Sequence, residues 1–558
     1  MLHITKLMSL LLVSLLIGCS DSSEPLTATA AQQRLDQLLR TIAVTTQSVQ
    51  RRASVTLTQN KLADTLPPIS DFPLVVNPTP NANTVAIEIF SSSEKAGEGT
   101  DGWLVQVAQA FNRRQITLPN GKTAQIQVRR IASGTAYQML AARKHQPHAY
   151  TPSNALWGEM VKASGVRLTP VMASMVGNTA GVVIKKSVAQ RLRNEFPQLG
   201  VDDLINAVVQ GKLIMGYTNP YASSTGLNFL VTVLHTFSGN GAQMLEPATV
   251  SALQSFQHGV PFIAMTTLQL RDSVANNGAL DAFVMEYQTF NNITPSMAAE
   301  YEFIPFGVRH DNPLYAMPDL TPEQRIALMA FAKHASSKTY RRLADDYGFN
   351  GLTTYRAAFE LPDGDTLQRA QAVWKRHKNA GRKVTAIFLA DISGSMNGGR
   401  LNRLRQSLLI GADFITPQNE IGLIAFNDRP IVMLRPKPFD LVHKAAFHAA
   451  VQDLRAQGGT ALYDGIAVSL AELLKVRRAQ PDNQLMLFVL TDGENRDGHP
   501  FDDIREIIHG LGIPVYTIGY EANLPVLQEI SSLVEAASIN AGQSDVAYKI
   551  GNLLNAQM

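Results

Sequence analysis

The sequence predicts an α/β protein with two large units in series, the second a doubly wound, mostly parallel sheet. Three observations lead there. The chain has 558 residues, more than one hydrophobic core supports, so two or three domains are expected. From about residue 83 onward, short apolar and β-branched runs alternate with stretches of helical periodicity, the pattern of strand–helix–strand units. Many of those apolar runs end in Ser, Thr, Gly or Asp, and open α/β sheets place their binding crevices at strand carboxyl ends.

Composition narrows the function classes. Hydrophobic residues make up 45% and charged residues 17%, which is ordinary globular material rather than a disordered chain. A net charge of +3 asks for no nucleic-acid partner. The N-terminus has a short basic start (Met1 to Lys6), an apolar run (Met8 to Ile17) and then Gly18 and Cys19. This reads as a secretory signal, too short to span a bilayer as a helix. Cys19 is the single cysteine, so the exported fold uses no disulfide. Leu16 to Cys19 resembles the lipobox of bacterial lipoproteins, which implies that residues 1–19 are a lipoprotein signal with Cys19 acylated. An ordinary signal peptide with an incidental cysteine is the alternative. The resemblance implies a lipid-anchored envelope protein, periplasmic or at the cell surface, and Ser20 leans toward the outer membrane.

Residues 20–82 read as a tether. Ala31 to Gln50 carries an apolar helical stripe of Leu35, Leu38, Leu39 and Ile42. Pro67, Pro68, Pro73, Pro78 and Pro80 then mark a semi-extended spacer. The helix serves equally as a packing element on the following domain.

Residues 83–362 form the first large unit. Strands are predicted at Val85 to Phe90, Gln125 to Ile131, Asn178 to Lys185 and Ala282 to Tyr287, and helices near Trp103 to Phe111, Ser133 to Arg143 and Pro322 to Ala335. Gly97, Gly99 and Gly102 match G-x-G-x-x-G, but no acidic residue follows between Trp103 and Trp157 to hold a ribose, so a dinucleotide site is set aside. That same interval carries Arg113, Arg114, Lys122, Arg129, Arg130, Arg143 and Lys144, read as a solvated basic face or a surface toward anions. Several strands run through Ser/Thr/Gly loops into helix N-termini, where free N–H groups and the helix dipole suit an anion. Helix capping is the competing use of the same residues.

Gly216 to Gly226, Asp281 to Tyr287, Ala344 to Phe349 and Tyr150 to Asn154 resemble bacterial extracellular solute-binding proteins of the two-lobed, periplasmic kind. The resemblance implies two α/β lobes closing on a small polar or anionic solute. It places Ser91, Ser92, Ser93, Ser133, Thr135, Ser153, Ser223, Ser224, Thr225 and Glu286 at the cleft.

Leu361 to Thr366 is a turn cluster, and a helical linker (363–381) leads to the second unit, residues 382–558. Val384 to Asp391 reads as a strand buried on both faces, and it ends in Asp391, Ser393 and Ser395. Taken alone, that Asp-x-Ser-x-Ser caps a helix as readily as it binds a metal. Further buried strands follow at Glu420 to Phe426, Leu485 to Asp492 and Ile513 to Gly519, with helices between them. From about Arg382 to Met558 this order resembles the von Willebrand factor type A domain. Its metal-ion-dependent adhesion site maps onto Asp391, Ser393, Ser395, Thr460 and Asp492. The resemblance implies Mg²⁺, with Mn²⁺ or Ca²⁺ as alternatives, and an open coordination position for an acidic group of a protein partner. Hard oxygen donors suit such cations.

No G-x-S-x-G, H-E-x-x-H or Walker loop occurs, and His145 and His148 find no ligand partner nearby in sequence. The sequence therefore reads as a non-enzymatic, membrane-anchored binding or adhesion protein with a second recognition site in its cleft. The alternative is a solute receptor for uptake or sensing, with the type A domain as docking module.

Overall fold

The computed structural model describes residues 26–56, 62–264, 280–534, 536–540 and 546–558. Cys19 and the signal around it lie outside the described residues. Among the described residues, no helix is long and apolar enough to cross a membrane.

The C-terminal unit is organised around strand Val384–Asp391, buried along its whole length. Val384, Ala386, Phe388 and Ala390 pack into one cluster with Leu401, Leu404, Leu408 and Phe447. Ile387 and Leu389 face the opposite way, against Leu462, Ile466 and Ile504. This two-residue alternation, with apolar helices on both sides, is what a central parallel strand requires. The sheet runs Thr45–Thr46, Pro430–Pro438, Glu420–Phe426, Val384–Asp391, Gln484–Thr491, Val515–Gly519, Ser538–Asn540. Pro430–Pro438 is antiparallel to Glu420–Phe426, and the other pairings are parallel.

The edge strand Thr45–Thr46 comes from the segment expected as a tether. The helix predicted over Ala31 to Gln50 spans Ala28–Leu38 only. Ile42, Val44, Thr45 and Thr46 follow, β-branched residues that favour extended backbone. The apolar stripe does find a partner, in the C-terminal unit rather than in the domain that follows in sequence. Ala31 and Leu35 are fully buried in the cluster that holds Ile504, Ile507 and Ile508. The strap then pairs with Ile431 and Val432, donates Ala53 N–H to Ala445 O at 3.0 Å and accepts Lys444 Nζ at Thr56 O at 2.9 Å.

The intervening region has two sheets and hence two lobes. The first runs Leu74–Val76, Thr123–Arg130, Thr84–Ser91, Ala149–Thr151, Leu314–Ala316, Thr169–Met172. The second runs Tyr301–Arg309, Thr179–Lys185, Ala282–Glu286, Met215–Thr218, Phe262–Ala264. The chain crosses from the first to the second after Met172 and returns after Arg309. The linker helix Gly364–His377 lies across both. A Cβ on Gly364 would stand 2.2 Å from Glu159 O in the first lobe, while Gln371 Nε2 donates to Pro220 O at 2.8 Å. Trp374, fully buried, donates its indole N–H to the Tyr217 hydroxyl at 2.5 Å in the second lobe. The linker thus staples the lobes together.

Two expectations change. Arg129 does not belong to a solvated basic face: it is buried, pairs with Glu88 at 2.6 Å and donates to Ile69 O at 2.9 Å. His145 does meet an acid, brought from a neighbouring strand, and His148 meets that residue's backbone. His145 Nε2 lies 2.8 Å from Glu88 Oε2, and Glu88 N–H donates to His148 Nδ1 at 3.0 Å. With Arg129 already neutralising Glu88, this is a structural ion cluster.

Candidate functional site

At the carboxyl end of the central strand the turn Asp391 to Ser395 is wound by its own hydrogen bonds. Ser393 N–H donates to Asp391 Oδ1 at 2.8 Å, and Thr491, ending the neighbouring parallel strand, donates its hydroxyl to Asp391 Oδ2 at 2.6 Å. Both carboxylate oxygens are therefore oriented. Ser393 Oγ and Ser395 Oγ stand 3.0 Å apart. Thr460 arrives on a loop docked against this turn through Gly394 N–H to Gly458 O at 3.0 Å and Gln457 N–H to Ile392 O at 2.8 Å. Asp497 grips that loop: its carboxylate accepts Thr460 N–H at 2.7 Å, and its own N–H donates to Thr460 O at 3.1 Å. Asp492 sits one residue beyond Thr491 and is buried.

The Asp391 carboxyl titrates at about 6, pushed up chiefly by burial and further by the Asp492 charge, against the lowering effect of its hydrogen bonds to Ser393 and Thr491. Two buried carboxylates close enough to sense each other are a site short of positive charge. A guanidinium supplies part of it: Arg400 Nη1 lies 3.4 Å from Asp492 Oδ2. Asp464 is buried and accepts both His499 N–H at 3.1 Å and His499 Nδ1 at 2.7 Å, fixing the adjacent loop. Glu494 pairs outward with Arg496 at 2.5 Å.

The donor set fits a small hard cation. Octahedral Mg²⁺ with oxygens at about 2.1 Å sets adjacent ligands about 3 Å apart, the spacing of the two serine hydroxyls. Among the described residues no group of three or more His, Cys, Asp and Glu is arranged to hold a metal. The set here has two carboxylates and three hydroxyls, so it holds fewer than three residues of those types.

Most of the cleft residues between the lobes are also buried, but their polar groups are turned on one another. Glu286 Oε2 accepts Asn178 Nδ2 at 2.9 Å, and its Oε1 accepts Thr225 Oγ1 at 3.4 Å and lies 2.8 Å from His310 Nδ1. Because the carboxylate only accepts, Nδ1 donates, and His310 Nε2 accepts from Asn154 and Asn228 amides at 3.0 and 3.1 Å. Ser153 donates to Glu94 Oε2 at 3.2 Å, and its N–H donates to Ser133 Oγ at 3.3 Å. Lys95, wholly buried beside Glu94, donates to Ser92 Oγ and Thr151 O, each at 2.8 Å. Burial pulls its ammonium down to about 7, and burial with the neighbouring Glu286 charge raises Glu94.

The lobes touch directly. Gly134 N–H donates to Ala222 O at 3.2 Å, and Trp157 Nε1 and Asn154 Nδ2 reach Ser224 Oγ and O at 3.0 and 3.2 Å. Ser223 caps helix Ser224–Ser238 through Gly226 N–H at 3.3 Å. Ser91 Oγ donates to Ser92 O at 3.3 Å. Thr135 Oγ1 lies 3.0 Å from the hydroxyl of Tyr548, on the C-terminal helix Val546–Gln557. Ser93 only begins the short helix Ser93–Ala96. Sequence reasoning missed Glu94, Lys95, Asn154, Asn178 and His310. Glu94 and Lys95 directly follow the serine triplet and were open to notice, whereas nothing local marks His310.

Residues 387–550 match the von Willebrand factor type A domain family, and this unit is such a domain. An uncharacterized protein of Synechocystis sp. is 27% identical over 158 residues, 28% of this chain and 36% of that relative. Inter-alpha-trypsin inhibitor heavy chain H4 of Bos taurus is 30% identical over 135 residues, 22% of this chain and 14% of that relative. The chain thus spans well under half the length of these curated relatives. The sulfate-binding protein SubI of Mycobacterium tuberculosis H37Rv is similar in structure at 14% identity and a TM-score of 0.34, covering 48% of this chain and 87% of that one.

Proposed function

We propose that this is a cell-envelope binding protein whose type A domain captures an acidic group of a protein partner through a divalent metal. Asp391, Ser393, Ser395, Thr460 and Asp492 hold the ion, with Mg²⁺ favoured and Mn²⁺ or Ca²⁺ as alternatives. The observation carrying this reading is the paired serine hydroxyls, 3.0 Å apart, beside a buried carboxylate whose oxygens are already oriented. Bound there, the ion supplies Lewis acidity toward a partner carboxylate. The protein's own contribution is to pre-shape the turn: Thr491 and the Ser393 N–H hold Asp391, and Asp497 holds the Thr460 loop. Because the proposed ligands surround an open position for a partner's acidic group, the proposed role is binding. Acylation of Cys19 would tether the molecule to the membrane.

A second reading, solute reception, is favoured by the charges gathered at the lobe junction, Glu94 beside the buried Lys95 and Glu286, since buried charge clusters where function needs it. Solute recognition there requires the lobes to part, because the same hydroxyls now serve the seam. Mass spectrometry of the native protein decides it: a co-purifying small molecule supports reception.

The leading reading is tested by crosslinking pull-down from intact cells with and without chelator. A partner captured with Mg²⁺ and lost in EDTA, or lost on Asp391→Ala, supports it. Capture that ignores both overturns it.

A further inference from the structure

We propose that Arg400 is the internal counter-cation of the Asp391 site: it pairs Asp492 when no metal is bound and is retained by Glu521 when metal arrives. Arg400 thereby sets how tightly the site holds its ion. This rests on the metal reading above.

Asp492 is buried, and a buried carboxylate needs a partner. Among the described residues the ion pair recorded for it is Arg400 Nη1 at 3.4 Å. The same nitrogen donates to Ser395 O at 3.2 Å, so the guanidinium lies along the rim of the serine turn. Its other side is held by a dedicated acid. Arg400 Nε donates to Glu521 Oε2 at 3.0 Å, and Arg403 Nη2 donates to Glu521 Oε1 at 2.6 Å.

Two features show that this placement is constrained. Arg400 lies in the first turn of helix Gly399–Gly411, which has no acidic residue there; a cation at that end opposes the helix dipole. Glu521 has φ 57°, left-handed backbone that a non-glycine residue adopts at a cost. Both oddities bring a positive group and its holder to the rim of the carboxylate pair.

A divalent ion and a guanidinium cannot both neutralise Asp492 without repelling each other. Metal entry therefore moves Arg400 toward Glu521, which keeps it within reach. Removing the guanidinium strengthens metal binding. Removing Glu521 leaves Arg400 wholly to Asp492 and weakens it.

The experiment is calorimetric titration of Mg²⁺, and separately Mn²⁺, into the chelator-stripped full chain as wild type, Arg400→Gln, Glu521→Gln and the double variant, with thermal melts alongside. Arg400→Gln should bind about tenfold more tightly. It should melt lower than wild type in chelator yet gain more on adding Mg²⁺, an inversion that a merely structural arginine would not produce. Glu521→Gln should bind several-fold more weakly, and that loss should vanish in the double variant, since it acts through Arg400. Unchanged or weaker binding by Arg400→Gln overturns the proposal. So does unchanged or tighter binding by Glu521→Gln, which decides the matter if Arg400→Gln fails to fold. Binding by Arg400→Gln where wild type is silent supports it, with the arginine outcompeting the ion. Silence of both toward both ions overturns the metal reading itself.

Discussion

The lobe cleft and the Asp391 turn are made from the same materials and differ in how they spend them. Each gathers serines, threonines and carboxylates at strand ends, and each is buried. In the cleft, Thr225 and Ser153 hydrogen-bond to Glu286 and Glu94, Ser224 bonds the opposite lobe, and Ser223 caps a helix. At the turn, the hydroxyls of Ser393 and Ser395 meet each other, Ser393 also bonds the Asp391 carboxyl, and Thr460 is held through its backbone, so these hydroxyls stay among the proposed ligands. Residue type alone therefore does not separate the proposed metal site from a seam. The partners of each hydroxyl do.

The largest test of that contrast strikes the staple across the seam. Trp374→Ala removes a fully buried indole that bonds Tyr217 and should cost about 3–5 kcal/mol, read by denaturant unfolding. Gly134→Ala probes the seam itself: the new Cβ would stand 2.1 Å from Tyr221 O in the facing lobe, and overpacking of this kind costs about 1–3 kcal/mol. Little or no change would mean that the lobes stand apart in solution, and the contrast would fail.

At the other site, Mg²⁺ at a hundred times its dissociation constant should stabilise the wild type by about 2.7 kcal/mol, and Asp391→Ala should abolish the gain.

The two sites should also titrate with opposite signs. Asp391 has its folded pKa raised to about 6 from an unfolded value near 3.9. Below both values it contributes nothing; as pH rises from about 4 to 6 the folded state loses up to about 3 kcal/mol in chelator. Lys95 has its folded pKa lowered to about 7, so its charged form penalises the fold below that pH. The penalty lifts as pH rises from about 7 toward 10.5. Unfolding in chelator across both windows, repeated for Lys95→Met and Asp391→Asn, should flatten one slope in each variant. The smallest effect is Ser223→Ala, an N-cap loss of about 1 kcal/mol; it should leave metal binding untouched.

Much of the fold was legible because strand–helix alternation is a local property. Glu420–Phe426 and Pro322–Ala335 have the bounds the sequence suggests. The helix read from Ala31 to Gln50 was misjudged in length and in its partner, because its fate is decided by a surface formed near the other end of the chain. Asp391, Ser393 and Ser395 could be read together since one turn holds them. Thr460 and Asp492 joined them only through family resemblance. Arg400 and Glu521 lay beyond either route: neither belongs to the motif, and 121 positions separate them. Glu286 is reached only through the family resemblance, and it accepts from Thr225. The lysine and histidine completing its surroundings escaped notice, since buried charge looks like surface charge in a sequence.

The strap that begins with Ala28–Leu38 gives the chain a nested order. A segment made early completes the edge of the sheet made last, with the two-lobed region inserted between them. A fragment cut at residue 382, where the sequence alone suggests the boundary, would leave strand Pro430–Pro438 without its outer neighbour and Ile504 and Ile508 without their helix. Bare strand edges and exposed apolar faces invite aggregation. A soluble, shortened type A domain should therefore be prepared by supplying residues 26–56 as a second piece or by fusing them in front of residue 382.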